Sequence, residues 1–144
     1  MAVTFSSTDI KFACKNKRIL ASFIKEMICS HAMKCGDISV VFCSDEKILE
    51  INRQYLKHDY YTDIITFDYS ENGTLSGDLM ISIDTVRSNA KEFGVDFLNE
   101  LHRIIIHGTL HLIGLKDKQP KDQKIMRENE NINLEKLSLI LKDK

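Results

Sequence analysis

No stretch of this 144-residue chain approaches the run of about eighteen consecutive apolar residues that reads as a membrane-crossing helix. Met1 to Lys11 has no apolar signal-peptide core, so neither secretion nor membrane insertion is expected. The one proline and six glycines do not gather with serine into a linker, and no repeat or low-complexity segment interrupts the chain. One compact domain over residues 1–144 is therefore expected. The four cysteines (Cys14, Cys29, Cys35, Cys43) lie in the first third without a C-x-x-C spacing. That leaves a disulfide framework or a cysteine zinc site without a pattern, and favours reduced, partly buried thiols in a cytoplasmic protein.

Neither acidic nor basic residues are in clear excess. The net charge is -1 although Lys and Arg number 20, which excludes a uniformly basic nucleic-acid protein and leaves room for a local positive patch. Several catalytic signatures are missing. There is no G-x-x-x-x-G-K-[ST] phosphate loop, no G-x-S-x-G elbow, and no His-x-Glu…Pro-Cys-x-x-Cys deaminase pattern.

What is present is ordinary for a soluble globular domain: 43% hydrophobic and 28% charged residues. Such a chain buries roughly two-thirds of its unfolded surface, enough to fold without disulfides or metal. Periodicity predicts a short strand over Val3 to Ser7 and an amphipathic helix over Lys17 to Met33, ended by Gly36. A buried strand over Ile38 to Cys43 follows, then a helix capped by Ser44 or Asp45 and running to about Leu56. Asp63 to Tyr69 and Leu75 to Ser82 read as a hairpin around Asn72-Gly73. Helices are expected over Ile83 to Phe93 (stopped by Gly94), from Asp96 through Leu112 (stopped by Gly114), and from Pro120 onward. The sum is an α+β domain, with about five helices packed on a small mixed sheet of about four strands.

The informative segment is His107-Gly108-Thr109-Leu110-His111-Leu112-Ile113-Gly114-Leu115-Lys116-Asp117. Residues four apart on a helix differ by about 40° in azimuth, so His107 and His111 share a face and can ligate one zinc ion. Asp117 would lie about 240° from His111 on a continued helix. A glycine stop at Gly114 removes that difficulty, because it turns the chain and lets a carboxylate three residues on approach the imidazoles. The competing account makes both histidines core residues bonded to nearby backbone, yet burying two imidazoles without partners costs roughly 1–3 kcal/mol each. Gly108 stands where the H-E-x-x-H zinc peptidases carry their general base, which disfavours a peptidase. His102 points about 140° away from His107. His31, His102 and the Tyr60-Tyr61 pair are read as structural.

At these residues the chain resembles the YbeY family of metal-dependent endoribonucleases. The family signature H-G-x-L-H-L-x-G-Y-D-H reads HGTLHLIGLKDK here. Asn52 to Phe67 (NRQYLKHDYYTDIITF) is similar to the family's N-x-x-Y-R-x-x-D-x-x-T-[DN]-V-L-S-F block. Gly77-Asp78-Leu79 with Ile81-Ser82 matches its G-D-[IL]-x-I-S strand, and Met126 with Glu128 resembles its closing helix. The resemblance implies cleavage of single-stranded ribosomal RNA at the small-subunit 3′ end, association with the small subunit in ribosome quality control, and a zinc-activated water. It differs at two places. Asp117 replaces the third histidine ligand, which takes the zinc site from about +2 to about +1 and should leave its water less acidic than the value of about 7 of a three-histidine centre. Leu56 replaces a functional arginine, for which Arg53, Lys57 or His58 could substitute. Lys116, Lys118 and Lys121 follow the histidine helix where phosphates would pass, while Asp63 and Asp78 are expected to cap or turn the chain. Two other readings stand beside the nuclease: a ribosome-assembly binding factor with a structural metal, and a metallopeptidase.

Overall fold

A computed structural model of the chain describes residues 2–56 and 62–143, the side chain of Leu56 excepted. Lys57, His58 and the Tyr60-Tyr61 pair lie outside the described residues. The strands are β1 (Val3–Ser7), β2 (Lys34–Cys43), β3 (Ile64–Asp68) and β4 (Thr74–Ser82). The α-helices are α1 (Lys17–Ser30), α2 (Asp45–Ile51), α3 (Ile83–Phe93), α4 (Phe97–Ile113) and α5 (Pro120–Lys142), and α2 continues as a wider π-helical turn over Asn52–Leu56. Among the described residues, five α-helices and a four-stranded mixed sheet make this the expected α+β fold.

The sheet order is β1-β2-β4-β3, with β1 and β4 parallel to β2 and β3 antiparallel to β4. Strand alternation explains which face is covered. Ile38, Val40 and Phe42 of β2 pair with Gly77, Leu79 and Ile81 of β4, and the side chains of all but Gly77 join those of α1 and α4 in the main core. On the other face Cys43, Ile48, Ile51 and Ile65 form a smaller cluster under α2. The β3–β4 hairpin turns through Asn72 and Gly73 at φ 50° and 78°, the positive values an Asn-Gly turn favours.

Helix α4 is buried on most sides and is the element on which the site is built. Two glycines admit it to the sheet. A Cβ on Gly108 would lie 2.7 Å from Ile64 Cδ1, and one on Gly77 would lie 2.9 Å from Leu112 Cδ2. Gly108 is thus a packing glycine, and the helix carries no side chain there that could act as a base.

One boundary differs from expectation. Helix α1 ends at Ser30, and Gly36 lies inside β2, which begins four residues earlier than the apolar run suggests. The last turn is closed by polar side chains instead: Ser30 Oγ donates to Met27 O at 2.7 Å, and His31 Nδ1 lies 2.9 Å from the same oxygen. Ala32, at φ 60°, makes the left-handed step. Gly36 is needed in the strand for space, because a Cβ there would fall 2.8 Å from Leu75 O. All four cysteines are free thiols; Cys14 and Cys43 are buried, and burial pushes the Cys43 thiol up to about 12.

Candidate metal centre

The end of α4 is a helix stop built on Gly114, at φ 124°. Gly114 N–H donates to His111 O at 3.1 Å and Leu115 N–H donates to Leu110 O at 3.0 Å, the paired bonds of a Schellman turn. The reversed chain delivers two groups to His111. Leu115 O sits 2.9 Å from its Nδ1, and Asp117 Oδ2 sits 3.2 Å from its Nε2. The same Asp117 oxygen is 3.3 Å from His107 Nε2. The two rings stand nearly perpendicular at 84°, with centroids 4.5 Å apart.

One donor atom from each of His107, His111 and Asp117 lies within 4.8 Å of the others. Zinc bound at about 2.0–2.1 Å in tetrahedral geometry separates adjacent ligand atoms by about 3.3 Å. The two nitrogen–oxygen separations, 3.2 and 3.3 Å, match that edge. Two imidazoles and a carboxylate are also the donor chemistry that borderline divalent ions take. The residues present fit such an ion.

The triad opens into a cleft of about 570 Å³, lined by Asn52, Thr62, Asp63, the β3 residues Ile64, Ile65 and Thr66, and Lys118. β3 is an edge strand of the sheet, and three of its residues, Ile64, Ile65 and Thr66, form part of the cleft wall. Two neighbouring recesses share Asp117 with it. One contains Lys116 and Lys118; the other contains Lys124, Arg127 and Glu130. Arg53 lines a separate depression with Glu46, Leu49, Glu50 and Gln54.

Two carboxylates at the centre are not marked as site residues by the sequence pattern. Asp63 precedes β3, and burial raises its pKa, partly opposed by the charge His107 carries when protonated and by backbone hydrogen bonds. Glu130, on α5, lies with its Oε2 2.6 Å from His107 Nδ1, whereas Glu128, which the closing-helix pattern suggests, is exposed. Burial disfavours a charged His107, but the hydrogen bond and charge of Glu130, with Asp117 and Asp63 behind it, leave its pKa raised. Burial likewise opposes ionisation of Glu130, yet His107, Arg103 and Arg127 bring its pKa below the usual value. Asp78 accepts a hydrogen bond from Tyr69 Oη at 3.2 Å, and buried His102 has its pKa lowered by desolvation.

A mixed sheet packed on a buried helix, whose end brings two histidines and a carboxylate together, describes an α+β protein with a site able to hold a divalent metal ion. The family's sequence profile, described as Endoribonuclease YbeY, matches residues 3–138. A Parabacteroides distasonis protein named Endoribonuclease YbeY is 56% identical over 131 residues, covering 91% of this chain and 92% of that protein. A Bacteroides thetaiotaomicron protein of the same name is 55% identical, covering 91% and 96%. A solution structure of a Thermotoga maritima protein superposes with a TM-score of 0.67 over 98% of this chain and 92% of that one; at 24% identity it speaks to fold alone. The chain belongs to the YbeY endoribonuclease family.

Proposed function

We propose that the chain is a metal-dependent endoribonuclease that cuts single-stranded ribosomal RNA, maturing the 3′ end of the small-subunit RNA and acting in ribosome quality control in the cytoplasm. The observation that carries the chemistry is the convergence of His107, His111 and one Asp117 oxygen at the head of an open cleft. Family membership carries the choice of RNA as substrate. No helix among the described residues is long and apolar enough to cross a membrane.

His107, His111 and Asp117 would hold the ion, with zinc the first choice for this donor set. When bound, it would polarise a phosphoryl oxygen and acidify a water. The remaining work falls to the chain. Leu115 O holds the His111 ring by Nδ1, so that Nε2 faces Asp117. Lys118, in the wall of the cleft, and Lys116, in the recess beside it, would meet substrate phosphates. Arg53, in its separate depression, would meet RNA only where the strand leaves the cleft. Asp63 faces the same space and is a candidate to hold a proton during the reaction.

The function is tested by incubating purified protein with a single-stranded RNA oligonucleotide. Cutting that stops with chelator and returns with added zinc supports the proposal. Ribosome binding with no cutting under any metal would favour the assembly-factor reading instead.

Two further outcomes follow. Lys118→Ala should weaken RNA binding and lower the slope of log affinity against log salt by about 0.7, the value of one phosphate contact on a single strand. A salt titration with an unchanged slope would remove Lys118 from the interface. The raised pKa of His107 also sets a pH dependence. A proton on the ring competes with the ion, so zinc affinity should fall about tenfold per pH unit below that raised value. In metal-free protein the sign is opposite: the stability His107 contributes is fully present below about pH 6.5 and is lost as pH rises through the folded-state value. Zinc titrations and metal-free melting curves across pH 5–9 (roughly the range where imidazoles titrate) check both.

A further inference from the structure

Glu130 stands behind His107, on the side of the ring away from Asp117. It is 5% exposed, and both of its oxygens are engaged. Oε2 lies 2.6 Å from His107 Nδ1, while Oε1 accepts from Arg103 Nη1 at 3.1 Å and lies 3.5 Å from Arg127 Nη1. Resting on the metal-centre reading above, we propose that Glu130 is a positioning residue for the ion, one that fixes which nitrogen of His107 is free to bind it.

A neutral imidazole carries one N–H and one lone pair, and its partners decide which nitrogen has which. His107 has a carboxylate at each end. If the proton sat on Nε2, the ring would donate to Asp117 at 3.3 Å and its lone pair would face away from the centre. Glu130 settles the competition. Its contact is shorter, it is buried, and two guanidinium groups hold it in place as an anion that only accepts. Nδ1 therefore carries the proton and Nε2 presents its lone pair to Asp117 and the ion. Arg103 precedes His107 by one helical turn on α4, so one carboxylate from α5 spans both. His111 meets the same requirement with a neutral acceptor, Leu115 O. The two ligands thus offer the same nitrogen to one point, one backed by a full charge and the other by a peptide dipole.

The competing account makes Glu130 only an ionic tie between α4 and α5. Glu130→Gln separates the two, because the amide cannot satisfy both sides. With its oxygen toward His107, its NH2 faces Arg103 and Arg127; with its oxygen toward the arginines, its NH2 faces Nδ1 and favours a proton on Nε2. Zinc affinity is measured by competition with a chromogenic chelator on the parent, Glu130→Gln and His111→Ala. The His107 tautomer is read from long-range proton–nitrogen NMR correlations of metal-free protein at alkaline pH, where the ring is neutral. Glu130→Gln should lose about 10–100-fold in zinc affinity, the usual worth of such a partner, and shift His107 toward the Nε2–H form. Parent-like affinity with an unchanged tautomer in Glu130→Gln overturns the proposal. Should that variant not fold, the parent decides: Nδ1–H supports the assignment and Nε2–H overturns it. A parent that takes up no zinc at all removes the centre and this role with it, an outcome distinct from an intact centre indifferent to Glu130.

Discussion

His111→Ala should reduce RNA cleavage to the level of chelator-treated protein while leaving the metal-free fold close to its parent stability. The His111 side chain is partly exposed, and its hydrogen bond between Nδ1 and Leu115 O is worth roughly 0.5–1.5 kcal/mol to the fold. The loss to the metal centre is larger. Removing a direct ligand should weaken zinc binding by more than the roughly 10–100-fold assigned to outer partners. A thermal shift shows the contrast. With zinc at about 100 times its dissociation constant, the parent gains about 2.7 kcal/mol, a rise on the order of 5–10 °C for a chain of this size. The variant should show almost none of it. Equal zinc-induced shifts in both proteins would mean that the ion is held elsewhere.

The second large effect concerns the turn rather than a ligand. Gly114→Val places a β-branched residue at φ 124° and ψ 3°, a backbone state that costs a non-glycine residue on the order of 1–3 kcal/mol. The same turn carries both Leu115 O and Asp117, so a chain that relieves the strain by moving also gives up the His111 acceptor and the third ligand. Stability and zinc affinity should therefore fall together. Gly94→Val is the matched control. Gly94 ends α3 at φ 67°, has nothing within 4 Å of an added Cβ, and does not line the cleft. It should lose stability and keep its zinc affinity. Melting and zinc titrations on both variants decide the matter; a Gly114→Val protein that is destabilised yet binds zinc like the parent would separate the turn from the centre.

These contrasts show why some of the molecule is readable in one dimension. The hairpin at Asn72-Gly73 and the stops at Gly94 and Gly114 are legible because the cause is local: a residue that tolerates positive φ between two periodic segments. The convergence of His107, His111 and Asp117 is legible for the same reason, since all three residues lie within eleven positions of one another and a single turn brings them together. Gly36 misleads because α1 ends through side-chain bonds to Met27 O and a left-handed alanine, neither of which has a strong sequence signature. The four added residues of β2 arise from a partner far along the chain, as Lys34 and Cys35 pair with Thr74 and Leu75.

Glu130 is hidden for a related reason. Its partners His107 and Arg103 lie on another helix, and the pairing forms only when α5 packs on α4. One signal is available. Glu130 falls on the buried stripe of α5 with Met126 and Leu137, where an acid is costly to bury without a partner. Asp63 gives less warning, because a carboxylate just before a strand is an ordinary turn residue.

The most direct trial is elemental analysis of protein purified without chelator and dialysed against zinc, run beside Asp117→Ala. The account predicts one equivalent of zinc in the parent and a large loss in the variant. A variant that keeps its full equivalent would show that the carboxylate does not grip the ion, and the three-ligand centre would have to be abandoned.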